Sequence, residues 1–96
     1  MRPVVFAPAA LRDLERLRAF LRAKNPAAAN RAGAAIIKGV RALGIWPQMG
    51  RVVDDLPDIY RDWLIDFGDT GYVARYRITD DRVIILAVRH QKEAGW

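Results

Sequence analysis

Cysteine and serine are absent from this chain of 96 residues, histidine occurs once, and threonine occurs twice. No disulfide and no thiolate metal site is possible without cysteine. With no serine either, and with Thr70 and Thr79 at turn or strand-end positions, a nucleophilic triad lacks its nucleophile. One histidine, His90, is a poor start for a catalytic zinc site, which draws on several His, Cys or carboxylate ligands. Asp54, Asp55 and Asp58 match no cation-loop spacing and read as a solvated turn. Gly68 and Gly71 bracket a hairpin turn, so no glycine loop is left to cradle a phosphate. No metal and no cofactor is therefore expected. No apolar run approaches the roughly 20 residues of a membrane helix. The opening Met1 to Pro8 also lacks the apolar core of a signal peptide, so a cytoplasmic location is expected.

What the chain does have is apolar surface and positive charge. The hydrophobic fraction of 52% excludes a disordered chain, and the length fits one domain spanning 1–96. The net charge of +5 fits an acidic partner or nucleic acid. It fits equally a merely arginine-rich composition, because the charge is spread and forms no dense block.

The periodicities predict strand, helix, helix and then three hairpin-linked strands. A short strand covers Pro3 to Ala7. From Ala10 to Lys24, the residues Ala10, Leu14, Leu17 and Leu21 make one helical stripe, flanked by Leu11 and Phe20. Asp13 with Arg16 and Glu15 with Arg18 are expected as surface pairs. Asn25 is the expected cap of a second helix, with Pro26 at its first position. Ala29, Gly33, Ile36, Val40 and Leu43 form its stripe, and alanine with Gly33 lets the helices approach closely. The helix stops near Gly44, before Pro47.

Met49 to Asp58 reads as a loop. Tyr60 to Phe67 reads as a strand with Trp63, Ile65 and Phe67 on one face and Asp62, Leu64 and Asp66 on the other. In the next strand Tyr72, Ala74, Tyr76 and Ile78 alternate with Val73, Arg75 and Arg77. Past the Asp80–Asp81 turn, Val83 to Val88 is apolar without a break, which predicts a central strand covered on both faces. It leads into a short basic tail holding His90. Trp63, Phe67, Tyr72 and Tyr76 are expected in the core and Trp46 as a lid at the helix exit. Trp96 either packs back on the sheet or stays free to anchor a partner.

Three further segments complete a pattern. Leu43 to Arg51 (Leu-Gly-Ile-Trp-Pro-Gln-Met-Gly-Arg) forms a helix exit, and Leu56 to Arg61 (Leu-Pro-Asp-Ile-Tyr-Arg) leads into a strand. The Met1 to Phe6 strand runs directly into Pro8-Ala-Ala-Leu-Arg-Asp-Leu. In order and spacing these resemble the RelE/ParE superfamily of small bacterial toxins from toxin–antitoxin pairs, specifically its ParE branch, over nearly the whole chain. The resemblance implies an α+β fold, a two-helix hairpin packed on one face of a small, mostly antiparallel sheet in the order β-α-α-β-β-β. It implies a type II toxin that poisons DNA gyrase by binding and is neutralised by a ParD-like antitoxin. Sequence-specific DNA binding by the toxin alone is not expected.

On that resemblance, Arg77, Arg89, His90, Gln91, Lys92 and Trp96 are the expected target-binding residues, and Leu11, Phe20, Ile37 and Trp46 the expected antitoxin contacts. The superfamily's RelE branch supplies the alternative, a ribosome-dependent endoribonuclease that needs acid, base and cations on one surface. Arg61, Arg75 and His90 would serve it. Against it, Trp63 and Val73 stand where that branch carries basic side chains, and the tail reads His90-Gln91. A third alternative is a binding module without toxicity.

Overall fold

A computed structural model describes residues 1–93 and 95–96. The chain opens with strand β1 (Val4–Phe6) and passes into helix α1 (Pro8–Arg22). Ala7 offers no capping side chain, but Pro8 at the helix start has no N–H that needs one. Asn25 does cap helix α2 (Pro26–Arg41), accepting the Ala28 N–H at 3.1 Å. Two short 3₁₀ turns, Ala42–Gly44 and Pro47–Met49, carry the chain to β2 (Arg51–Val52). Then come β3 (Tyr60–Phe67), β4 (Thr70–Ile78) and β5 (Val83–His90).

Among the described residues these strands make one five-stranded sheet in the order β1-β5-β4-β3-β2. β1 runs parallel to β5, and the other neighbours are antiparallel. The helical hairpin therefore carries the chain from one sheet edge to the other and covers one face. Ala10, Leu17, Ile36 and Val40 of the helices meet Ile65, Tyr72, Ala74, Tyr76, Ile85 and Val88 of the sheet in one core. This is the expected α+β architecture.

Tyr76 ties the long connection after α2 to the middle of the sheet. Its hydroxyl donates to the Pro47 carbonyl at 2.6 Å and accepts the Gly50 N–H at 2.9 Å. The side chain has no solvent exposure, and that burial raises its pKa while the Gly50 N–H pulls the other way. A Cβ on Gly50 would lie 2.5 Å from the Tyr76 hydroxyl and 2.9 Å from the Asp62 carbonyl, so only glycine fits there.

Four details differ from the sequence reading. The predicted loop Met49 to Asp58 contains strand β2, whose Arg51 and Val52 pair with Asp62 and Arg61. β5 is central, but helices cover only one of its faces, leaving Ile84, Leu86 and Ala87 half-buried. Its ladder to β4 is also irregular, which the unbroken apolar run does not reveal. Tyr76 pairs with Ile85 and Arg75 with Ala87, so Leu86 is an extra, bulged residue. Lastly, Glu15 pairs with Arg22 at 3.3 Å and not with Arg18. Arg18 turns inward across Gly33, where a Cβ would meet its Cδ and Nε at 3.3 Å. The expected Asp13–Arg16 pair is present at 3.7 Å.

The bulge has a partner in α1. The Val88 N–H is bonded by the Asp13 carboxylate at 2.9 Å. Past Leu86 the alternation resumes with Val88 and His90 on the helix side and Arg89 on the open side. One displaced residue thus decides which way the side chains of Arg89 and His90 point.

Candidate functional site

The open face of the sheet carries a row of charge. Asp62 on β3 holds Arg75 on β4 through two bonds of 2.9 and 3.1 Å. The Arg75 guanidinium then lies 4.6 Å from the Trp96 ring centre, and Arg89 on β5 lies 5.1 Å from the same ring. Trp96 has therefore packed back on the sheet, yet 49% of its surface is exposed. Such contacts contribute about 0.5–1 kcal/mol each at exposed positions. Arg77 continues the row opposite Tyr60 and Ile84, and it enters no ion pair among the described residues.

Arg89 also shapes the tail. One of its terminal nitrogens donates to the carbonyls of His90, Gln91 and Glu93, at 3.3, 3.4 and 3.0 Å. Glu93 closes the turn from the other side. Its carboxylate accepts the His90 N–H at 2.8 Å and an Arg16 guanidinium N–H at 2.7 Å. Burial opposes ionisation of Glu93, but the His90 N–H and Arg16 outweigh it and hold the carboxyl below its ordinary range.

His90 sits on the opposite face of the sheet from Arg89. Its Nδ1 accepts the Lys92 N–H at 3.1 Å, which leaves the proton on Nε2 to be donated to Thr70 at 2.9 Å. The ring meets Tyr72 edge-on at 5.4 Å. Both ring nitrogens are thus engaged in holding the hairpin turn and the tail.

The three residues of the nuclease alternative stand apart. Arg61 lies on the helix side, where it bonds the carbonyls of Asp58, Gln48 and Gly50 at 3.0 to 3.1 Å. Arg75 is on the open face, and His90 is beside α1. Gln91 and Lys92 are exposed in the turn that follows β5.

The four expected antitoxin contacts are all exposed: Leu11 54%, Phe20 62%, Ile37 40% and Trp46 61%. They do not form one patch. Leu11 shares a side of α1 with Arg18, which crosses Gly33 of α2, so Leu11 borders the groove between the helices. Ile37, four residues after Gly33, borders the same groove. Phe20 lies on the far flank of α1, next to His90. Sequence reasoning missed an apolar ledge at the other sheet edge, where Met49 and Leu64 line a cavity of about 190 Å³ and Val52 is exposed nearby. Leu64 carried the signal, as a leucine between Asp62 and Asp66 on the outward face.

Residues 4–95 match the family model described as the ParE toxin of the type II toxin–antitoxin system, parDE. The chain belongs to the ParE toxin family. A relative called Toxin RelE3, from Caulobacter vibrioides, is 35% identical to this ParE-family chain over 94 residues, which is 97% of this chain and 98% of the relative. The fold is shared with a chain of the chromosomal ParDE system from P. aeruginosa, at a TM-score of 0.78 and 18% identity over 94% of this chain and 96% of that one. It is shared more loosely with the solution structure of a conserved hypothetical protein from Helicobacter pylori, at 0.58 and 15% identity over 97% and 98% of the two chains. The family model carries the ParE name and the Caulobacter vibrioides relative the RelE name.

Proposed function

We propose that this ParE-family toxin poisons DNA gyrase by binding it through the open face of its sheet, and that a ParD-like antitoxin neutralises it in the cytoplasm. The observation that carries this reading is the row Arg75, Trp96, Arg89 and Arg77. It presents cations and a half-exposed indole with no general base among them. Aromatic and arginine side chains are the residues that concentrate binding energy at interfaces. Here they are held on a rigid sheet, with Asp62 fixing Arg75.

The name of the Caulobacter vibrioides relative favours a second reading, ribosome-dependent cleavage of messenger RNA. The separation of Arg61, Arg75 and His90 supports the first. Expression without antitoxin tests the pair of readings in cells. Gyrase poisoning gives filamentous arrest with DNA damage, relieved by co-expressing an antitoxin that copurifies with the toxin. Arrest with prompt loss of translation and no DNA damage would overturn it.

A further inference from the structure

Phe20 and His90, assigned above to different partners, line one cavity. It encloses about 220 Å³ between α1 and the tail and is lined by Arg16, Leu17, Phe20, His90 and Glu93. Its wall is apolar, from Leu17 and Phe20, and that is room for one large apolar side chain. Phe20 is 62% exposed, an unusual state for an aromatic residue beside an apolar hole.

The mouth is basic. Arg16 and Phe20, four residues apart, share a side of α1, and Lys24 follows in the turn just past its end. The Lys24 ammonium lies 4.5 Å from the Phe20 ring centre. Lys92, exposed two residues after His90, enters no ion pair among the described residues. The tail itself shows what charge this mouth takes, because the Glu93 carboxylate sits on Arg16 at 2.7 Å.

We propose that this cavity anchors an acidic segment of the antitoxin, an inference that rests on reading the chain as an antitoxin-bound toxin. One large apolar side chain of that segment enters between Phe20 and His90, and a flanking carboxylate meets Lys24, Lys92 or, in competition with Glu93, Arg16. An occupant would touch the turn from His90 to Glu93 that fixes the tail. A bound antitoxin then bears on the tail that places Trp96, so neutralisation and target binding exclude one another.

The test uses the full chain and a short blocked peptide with tryptophan between glutamates, followed by amide chemical shifts. Saturable shifts are expected around Phe20 and His90. Affinity should fall about tenfold when alanine replaces the tryptophan, when lysines replace the glutamates, and in Phe20→Ala, a change at a hot-spot position. Equal binding of the alanine or lysine peptide, or shifts confined to the open sheet face, would overturn the proposal. Copurification with the antitoxin separates the underlying reading. An antitoxin that binds the wild type and Phe20→Asp equally removes the cavity but keeps the partnership. One that binds neither removes the partnership.

Discussion

Arg16 of α1 and Glu93 of the tail meet at 2.7 Å across 77 positions of sequence. With the Asp13–Val88 bond of 2.9 Å nearby, they clip the end of β5 to the first helix. The side chains of Arg16 and Glu93 remain 49% and 38% exposed, so the ion pair acts mainly by placing the tail and adds little to global stability.

Acid should release this clip. The Glu93 carboxyl titrates below its ordinary range in the folded protein, so its contribution is complete above the usual carboxylate pKa. It is lost as pH falls through the lower, folded value. Trp96 fluorescence and the Glu93 amide shift should change together in that acid window, before the fold melts. Glu93→Gln should remove the transition while leaving the melting temperature within a few degrees of wild type.

Tyr76→Phe should cost about 1–3 kcal/mol, because it leaves the buried Gly50 N–H and Pro47 carbonyl without their hydroxyl partner. Urea unfolding measures the loss. An unchanged midpoint would mean that the connection after α2 is not strapped to the sheet through this residue.

Ile36→Asp should leave no cooperative melt. Ile36 has no exposed surface, and an unpaired carboxylate there costs several kcal/mol, a large share of the stability of so small a domain. Retention of a melt near that of the wild type would mean the phase of α2 is wrong.

The helices were legible because Asn25 and Pro26 punctuate the chain and the apolar stripes keep the helical period over whole turns. β2 was not, since two residues carry no periodicity and the ladder comes from β3. The bulge at Leu86 was hidden for a related reason: an apolar run reads the same with or without one extra residue. The charge of Arg18 predicts a surface pair with Glu15, whereas the space above Gly33 admits its side chain. At the site, Arg77, Arg89 and Trp96 could be picked out singly. That Arg89 and His90 point to opposite faces follows from alternation past the bulge. That Phe20 and His90 line one cavity depends on how α1 lies on the sheet, which no local pattern records.

Removing residues 91–96 should abolish target binding while the sheet survives. β5 runs through His90, so a truncation that spares the strand begins after it. The loss of the Glu93 and Trp96 contacts should lower stability by about 1–2 kcal/mol. Trp96→Ala alone should weaken target binding by at least about tenfold, as for an interface anchor. His90→Ala should cost the tail order and little else.

Purified toxin mixed with DNA gyrase, ATP and supercoiled plasmid offers the most direct measurement. After denaturation of the enzyme, linear DNA should accumulate in proportion to the toxin and be absent with Trp96→Ala or the truncated chain. In a translating extract the same protein should leave messenger RNA intact. Unaltered gyrase turnover, together with cuts at the ribosomal A site that vanish in His90→Ala, would contradict target binding through the open face and make His90 a catalytic residue.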